Sequence, residues 1–234
     1  LKNPSVVDNN FVFNSFETAK TVMLGAYNSY VEQVNSGFPT NFENIGSDVE
    51  RCSAKITAAA LCGAAQLYGG MESFQVENFA INTYGYASNF YNCISKCNQI
   101  IYNIESMDNG WDQNMPNDWS DLLGQAYAFR ATVYYDIVRL YGEAIYVDQA
   151  GVEVKELTPR DLILEKEIEN LITVEPYLYK LGENAHYPDQ ITRNYVDGLI
   201  GRMCFAAAGY ATRRTDLGDG FYVNIDGDPI TFEV

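Results

Sequence analysis

Carboxylates are the main side chains of this chain that could do chemistry. Its 234 residues include 31 Asp and Glu but only one histidine, His186. Two facing carboxylates are enough to hydrolyse a glycosidic bond, yet no acidic pair stands out by its spacing, and carboxylates on solvated helix faces are the more common case. The sequence has no glycine-rich phosphate loop and no serine elbow. We therefore predict no catalytic residues and no cofactor.

The five cysteines match no zinc module, because zinc modules need closely paired ligands. Cys93 and Cys97 lie four apart on a predicted helix and could share a metal ion, but only His186 could add an imidazole. The alternative, that the cysteines are small buried apolar residues, is favoured. We predict no metal site, and the cysteines leave the redox compartment open.

The chain is strongly acidic and rich in tyrosine. Lys and Arg total 15, so the net charge is −16. Such a surface repels phosphate backbones and anionic lipid headgroups, which predicts no nucleic-acid partner, although solubility is the simpler explanation of the charge. The 18 Tyr, 12 Phe and 2 Trp favour a surface with half-exposed rings, as well as an aromatic core. Trp111, in a polar loop, is either a loop anchor or a contact residue.

Hydrophobic periodicity and capping signals predict an all-α fold, and the length fits one large domain or two small ones. The fold class is antiparallel helix pairs in a tetratricopeptide-like superhelix, with irregular loops and a small C-terminal hairpin. Asn14 and Thr158 are the predicted N-caps of the first and fourth long helices. Glycines and alanines of the last helix are expected to let another helix approach closely. The predicted elements are helices over Ser15–Val34, Ala54–Gln66, Tyr84–Met107, Asp121–Tyr141, Thr158–Val174 and Thr192–Arg213, and a hairpin over Phe221–Val234.

The helix over Asp121–Tyr141 carries two adjacent apolar stripes, wide enough to contact two neighbouring helices. Arg130 projects from the middle of this apolar arc. Its guanidinium keeps its proton, so it needs a carboxylate or several carbonyls to offset the loss of water. A buried arginine that ties helices together is favoured over a ligand-binding role. Structural roles are also predicted for Gly142 and Thr158.

Taken in order, these segments resemble the SusD/RagB family of nutrient-binding lipoproteins of the Bacteroidetes outer membrane. The segment LGQAYAFRATVYYDIVRLYG, residues 123–142, is similar to that family's "GEA-x-FLRA…YF-x-LVR-x-YG" helix. The segments Glu17-Thr-Ala, Thr158-Pro-Arg-Asp161 and Ile191-Thr-Arg193 support it. Gln125 stands where the family usually has Glu, and Ala144 follows where a "DVPL"-like exit is expected. Relatives continue with a long second half, so the resemblance implies that residues 1–234 are a single SusD-like N-terminal helical domain without that half.

The resemblance implies a surface-exposed lipoprotein of the cell outer membrane. Such a protein binds a starch- or polysaccharide-type oligosaccharide and delivers it to a SusC-like TonB-dependent porin. The loop Asn44–Arg51 corresponds to the family's "SDE"-like loop, and the predicted ligand-binding residues are Asp48, Glu50, Arg51, Tyr68 and Phe74. The simpler alternative is that Asp48 caps a helix and both aromatic residues are core. Two other functions remain open, a helical-repeat scaffold that binds a peptide or protein in a concave groove, and a glycoside hydrolase.

Overall fold

A computed structural model of the chain describes residues 13–35, 76–108, 110–184 and 190–209, and the pairs 213–214, 221–222 and 232–233. The described residues are mostly helical, so the predicted all-α class is confirmed. None of the helices in these residues is long and apolar enough to cross a membrane. The helices are α1 Phe16–Asn35, α2 Val76–Glu105, α3 Asp118–Tyr141, α4 Arg160–Val174 and α5 Arg193–Ala208; the strands are β1 Ala144–Ile145, β2 Glu156–Thr158, β3 Arg213–Arg214, β4 Phe221–Tyr222 and β5 Phe232–Glu233.

The chain divides into two compact units, residues 26–93 and residues 1–25 with 94–234. In the first unit, the rings of Tyr30 and Phe90 lie 6.2 Å apart, and Cys93 Sγ donates to the carbonyl of Ala26 at 3.6 Å. In the second unit, α3 packs against α4, and α4 packs against α5. That residues 1–234 form one SusD-like domain stays a prediction.

The two N-terminal helices begin at different residues from those predicted. The N-cap of α1 is Ser15 rather than Asn14, since the Thr18 N–H donates to Ser15 Oγ at 3.3 Å. A short hydroxyl side chain is a good acceptor for this otherwise unpaired amide. Helix α2 begins at Val76 rather than Tyr84, and no proline follows Val76 to require a later start.

The start of α4 also corrects a prediction. Thr158 is the last residue of β2 and pairs with Ala144 of β1, so its backbone is part of a strand. The N-cap is Pro159, which has no side-chain cap bond, and its carbonyl accepts from the Ile163 N–H at 3.1 Å. Thr158 is therefore not the N-cap that the sequence predicts.

The C-terminal predictions are wrong in three respects. Helix α5 ends at Ala208 rather than near Arg213, which lies in β3. Among the described residues, no atom lies within 4 Å of a Cβ placed on Gly198 or Gly201, so these glycines do not mark a close helix approach there. Among the described residues, β4 pairs with β2 and β5 pairs with β3, so these two strands do not pair with each other as the hairpin predicted for Phe221–Val234 requires.

The cysteine prediction is correct for two of the described cysteines and wrong for the third. Cys93 and Cys97 are buried on α2, whereas Cys204 is exposed on α5. Of the predicted site residues, Asp48, Glu50, Arg51, Tyr68 and Phe74 lie outside the described residues, and so does the predicted helix Ala54–Gln66.

Candidate functional site

A buried polar cluster at the centre of the second unit is built around Arg130 of α3. Arg130 Nε lies 3.1 Å from Glu167 Oε1 of α4, and the two side chains are 2% and 0% exposed. Burial alone lowers the pKa of Arg130, but the charge of Glu167, with smaller contributions from nearby tyrosines, raises it above its usual value. The guanidinium therefore stays charged, and Glu167 is the carboxylate that its burial requires.

The remaining donors of Arg130 join α3 to α2 and to the segment after β1. Arg130 Nη1 donates to Asn98 Oδ1 at 2.9 Å and to the carbonyl of Asp148 at 3.3 Å. Asn98 Nδ2 in turn donates to the carbonyl of Val147 at 2.8 Å. The guanidinium carbon also lies 5.0 Å from the centroid of the Tyr127 ring, within the range of a cation–π contact. Arg130 and Asn98 together thus link α2, α3, α4 and residues 147–148.

Tyr146 closes the cluster from the chain that follows β1. Its hydroxyl donates to Glu167 Oε1 at 2.8 Å, and burial, followed by the charge of Glu167, raises the pKa of this phenol. Its ring lies 4.9 Å from that of Tyr134. The Tyr134 hydroxyl accepts from the Val147 N–H at 2.6 Å, so both tyrosines hold the same segment of backbone.

Gly142 makes this return of the chain possible. It is the C-cap of α3, with φ 82° and ψ −115°, a backbone conformation that glycine adopts far more readily than other residues. Its N–H donates to the carbonyl of Val138 at 3.1 Å. The chain then leaves the helix as β1, where Ala144 pairs with Thr158 of β2, and carries Tyr146 and Val147 back over the cluster.

This arrangement indicates a structural rather than a chemical role for the cluster. The charges of Arg130 and Glu167 are paired inside the unit, and the side chains around them, those of Asn98, Tyr127, Tyr134 and Tyr146, are buried or half-buried. The family-like helix of residues 123–142 is thus scaffold. Gln125, where the family usually has Glu, donates to Asp121 Oδ2 at 2.6 Å. Across the described ranges, no group of three or more His, Cys, Asp or Glu could hold a metal ion.

The partners of Arg130 were not predicted from the sequence, although the sequence carries a signal for Glu167. Glu167 lies between Ile163 and Leu171 at four-residue spacing, and both neighbours are fully buried. A carboxylate on the apolar stripe of a helix requires a cation, just as Arg130 requires an anion. The sequence does not single out Asn98 or Tyr146, because uncharged polar residues are common beside buried positions and need no charged partner.

Solved structures similar to this chain include three proteins of the genus Bacteroides. A SusD homolog from Bacteroides thetaiotaomicron is 16% identical, with a TM-score of 0.60, over 86% of this chain and 38% of that one. A SusD-like carbohydrate binding protein from Bacteroides vulgatus is 18% identical, with a TM-score of 0.58, over 84% and 42%. A SusD superfamily protein from Bacteroides thetaiotaomicron is 15% identical, with a TM-score of 0.56, over 82% and 44%.

A scan against protein-family models and a search of curated proteins found no match. The chain spans about two fifths of the length of these three solved structures. The match nevertheless covers more than four fifths of this chain in each case. The resemblance predicted from residues 123–142 is confirmed at the level of the fold, and the chain has the fold of SusD-like proteins.

Proposed function

We propose that the chain binds an oligosaccharide at the bacterial surface and passes it to a SusC-like TonB-dependent transporter without cleaving it. The observation that carries this proposal is the shared fold with a protein named a SusD-like carbohydrate binding protein, with a TM-score of 0.58 over 84% of this chain. The proposed location is the outer membrane, where the protein is a surface-exposed lipoprotein.

The position of the family-like helix supports a site on loops. Arg130 and its partners are buried and paired, so this cluster offers no ligand contacts. The rim of the site is proposed to consist of Asp48, Glu50, Arg51, Tyr68 and Phe74. Aromatic rings stack on the C–H faces of sugars, while carboxylate and guanidinium groups hydrogen-bond their hydroxyls.

Calorimetric titration with a panel of neutral oligosaccharides tests the proposal. The panel consists of maltoheptaose, cellohexaose, xylohexaose and mannohexaose, and each reaction is assayed for new reducing ends. We expect saturable heat with at least one of them and no product, and we expect Asp48→Ala to weaken that binding roughly tenfold or more. Asp197→Ala, at an exposed aspartate of α5, is the matched control and should bind normally.

Two outcomes of this experiment would contradict the proposal. New reducing ends would identify a glycoside hydrolase, and the capture proposal would then be wrong. A lack of heat with every oligosaccharide would also contradict it. For the transporter, co-purification of the intact lipoprotein with a SusC-like porin from outer membranes is expected, and its absence would remove the delivery step.

A further inference from the structure

A short segment after α4 lies across the first turns of α3 and is held there at three consecutive residues. Ser120 Oγ donates to the carbonyl of Tyr177 at 3.0 Å, and the Tyr179 N–H donates to Asp121 Oδ1 at 2.9 Å. Between them, Leu178 is 1% exposed and packs on Gly124, where an added Cβ would lie 2.5 Å from Leu178 Cδ1. Burial of Leu178 leaves the rings of Tyr177 and Tyr179 half-exposed.

Trp111 extends this pair of rings. Its ring meets that of Tyr177 edge to face, with centroids 6.0 Å apart and an interplanar angle of 66°. The loop that carries Trp111 is fixed by Asn117, whose Nδ2 donates to the carbonyls of Trp111 at 2.8 Å and Gln113 at 3.0 Å. Three half-exposed aromatic rings are therefore held by fixed backbone beside the start of α3.

Polar groups border the rings. Asp118 Oδ1 accepts from Asn184 Nδ2 at 2.8 Å and lies 3.5 Å from the Tyr179 hydroxyl. A tyrosine hydroxyl keeps its proton at neutral pH, and burial, then the charges of Asp118 and Asp121, raises the pKa of Tyr179 further. A carboxylate can accept about four hydrogen bonds, so Asp118 has capacity for a ligand hydroxyl. We call the five residues Trp111, Asp118, Tyr177, Tyr179 and Asn184 the Trp111 surface.

We infer that the Trp111 surface is a contact site for an uncharged oligosaccharide. Flat rings can stack on the C–H faces of a pyranose, while a carboxylate, an amide and a phenol can hydrogen-bond the hydroxyls at its edge. Asp118 belongs to the Trp111 surface, and Asp121 and Glu183 lie next to it. These carboxylates repel an anionic ligand. The inference rests on the proposed glycan capture and adds a second set of residues to it.

The two tryptophans of the chain allow a direct measurement. Trp111 belongs to the surface, and Trp119 follows Asp118, with its ring packed edge-on against Phe16 at 5.5 Å. Titration of the chain with the four oligosaccharides of the panel is expected to change its tryptophan emission saturably. In the Trp119→Phe variant the change should persist, because Trp111 is then the only emitting tryptophan.

Two substitutions then test the surface. Tyr179→Ala removes a ring and Asn184→Ala removes an exposed amide, and each should raise the dissociation constant of the bound oligosaccharide roughly tenfold. Tyr102→Ala is the matched control, since Tyr102 is an aromatic residue of α2 that is 62% exposed and lies outside the surface. It should bind like the unaltered chain. Circular dichroism checks that each variant is folded, and if Tyr179→Ala is not, Asn184→Ala decides.

The results separate this inference from the proposed function. If Asn184→Ala and folded Tyr179→Ala bind as tightly as the unaltered chain while Asp48→Ala loses binding, the Trp111 surface is not a glycan site and glycan capture stands. If no oligosaccharide of the panel binds the unaltered chain, both are wrong. If both surface variants weaken binding and the tryptophan emission responds, the inference holds.

Discussion

Arg130 and Glu167 form a buried ion pair that is costly to break from one side. Arg130→Ala leaves the Glu167 carboxylate, which is 0% exposed, without its cation. We expect the free energy of unfolding to fall by roughly 3–5 kcal/mol, measured by urea denaturation followed by circular dichroism. Arg139→Ala is the control, because the side chain of Arg139 is 41% exposed and its pair with Asp136 should contribute at most about 1 kcal/mol.

Removal of both charges tests whether an uncompensated charge is the cause. In the double variant Arg130→Met, Glu167→Leu no charge remains buried at this position. We expect it to recover most of the stability lost in Arg130→Ala, since a buried pair often contributes little over apolar residues of similar volume. If the double variant is as unstable as the single one, the packing of Arg130 rather than its charge determines the loss.

Tyr146 predicts how stability changes at alkaline pH. Burial and then the charge of Glu167 raise its pKa in the folded chain, whereas a tyrosine in the unfolded chain titrates near its usual value of about 10. Above that pH the unfolded chain releases a proton that the folded chain keeps, so the free energy of unfolding falls as pH rises. Below about pH 9 this contribution is fully present.

The measurement is a series of urea denaturations between about pH 9 and pH 11. Loss of this group should make the decline shallower in Tyr146→Phe than in the unaltered chain, by at most about 1.4 kcal/mol per pH unit. A decline of equal steepness in both proteins would contradict the assignment of this proton to Tyr146.

At the residue scale, the sequence was sufficient to predict that Arg130 needs a carboxylate but not to identify that carboxylate. The chain has 31 acids, and the distance that selects Glu167 depends on how α3 and α4 pack. Asp136 shows the same limit. At about 100° per residue it lies opposite the apolar stripes of α3, yet it is 7% exposed, because burial of a helix face depends on its neighbours.

The first turn of α3 depends on one side chain. Asn117 accepts from the N–H groups of Trp119 and Ser120 and forms a capping box with Ser120, and it also holds the Trp111 loop. We expect Asn117→Ala to lower the free energy of unfolding by roughly 1–2 kcal/mol. Thr158→Ala is the informative control, since the sequence predicts the same role for Thr158 while α4 has no side-chain cap bond. It should cost clearly less in the same denaturation experiment, and an equal loss would restore Thr158 as a cap.

The contact between Gly124 and Leu178 fixes the segment that follows α4 onto α3. In Gly124→Ala the new Cβ would lie 2.5 Å from Leu178 Cδ1, so Leu178 or the backbone must shift, at a cost of roughly 1–3 kcal/mol. Gly198→Ala on α5 is the matched control. Its site is exposed and open among the described residues, so helix propensity should make that variant more stable by up to about 1 kcal/mol.

Thermal or urea denaturation of the two alanine variants decides the point. Opposite signs are expected, although alanine has the higher helix propensity at both positions. If Gly124→Ala is as stable as Gly198→Ala, the approach of Leu178 to α3 is less close than described.

At the element scale, periodicity was sufficient to predict the long helices, and their ends were the weak part. Helix α3 was predicted to begin at Asp121 and begins at Asp118. The earlier start depends on the capping box between Asn117 and Ser120, and a serine at the third helical position is a weak signal in the sequence. The short strands could not be predicted from alternation. Strands of two or three residues carry too little pattern, and their partners are distant in the sequence.

For the whole molecule, periodicity along the chain predicted the all-α class, and the helix of residues 123–142 contributed most to the SusD-like resemblance. That helix is informative because Arg130, Gly142 and the apolar stripes between them must all meet the conditions of one buried cluster. The predicted ligand rim rests on loop residues, for which hydrophobic periodicity gives no information. The Trp111 surface was not predicted, since its members come from residues 111, 118, 177, 179 and 184 and only the fold brings them together.

Helix α2 runs through both compact units, with Cys93 in the unit of residues 26–93 and Cys97 in the other. Both thiols are 0% exposed, so a thiol reagent modifies each only when the structure around it opens. In a variant with serine at positions 52, 62 and 204, only Cys93 and Cys97 can react. The rate at which each thiol is modified then reports how often the structure around it opens. We expect Cys93 to react first, because the shorter unit has less surface to bury. Equal rates, measured by mass spectrometry over time, would mean that the two units open together.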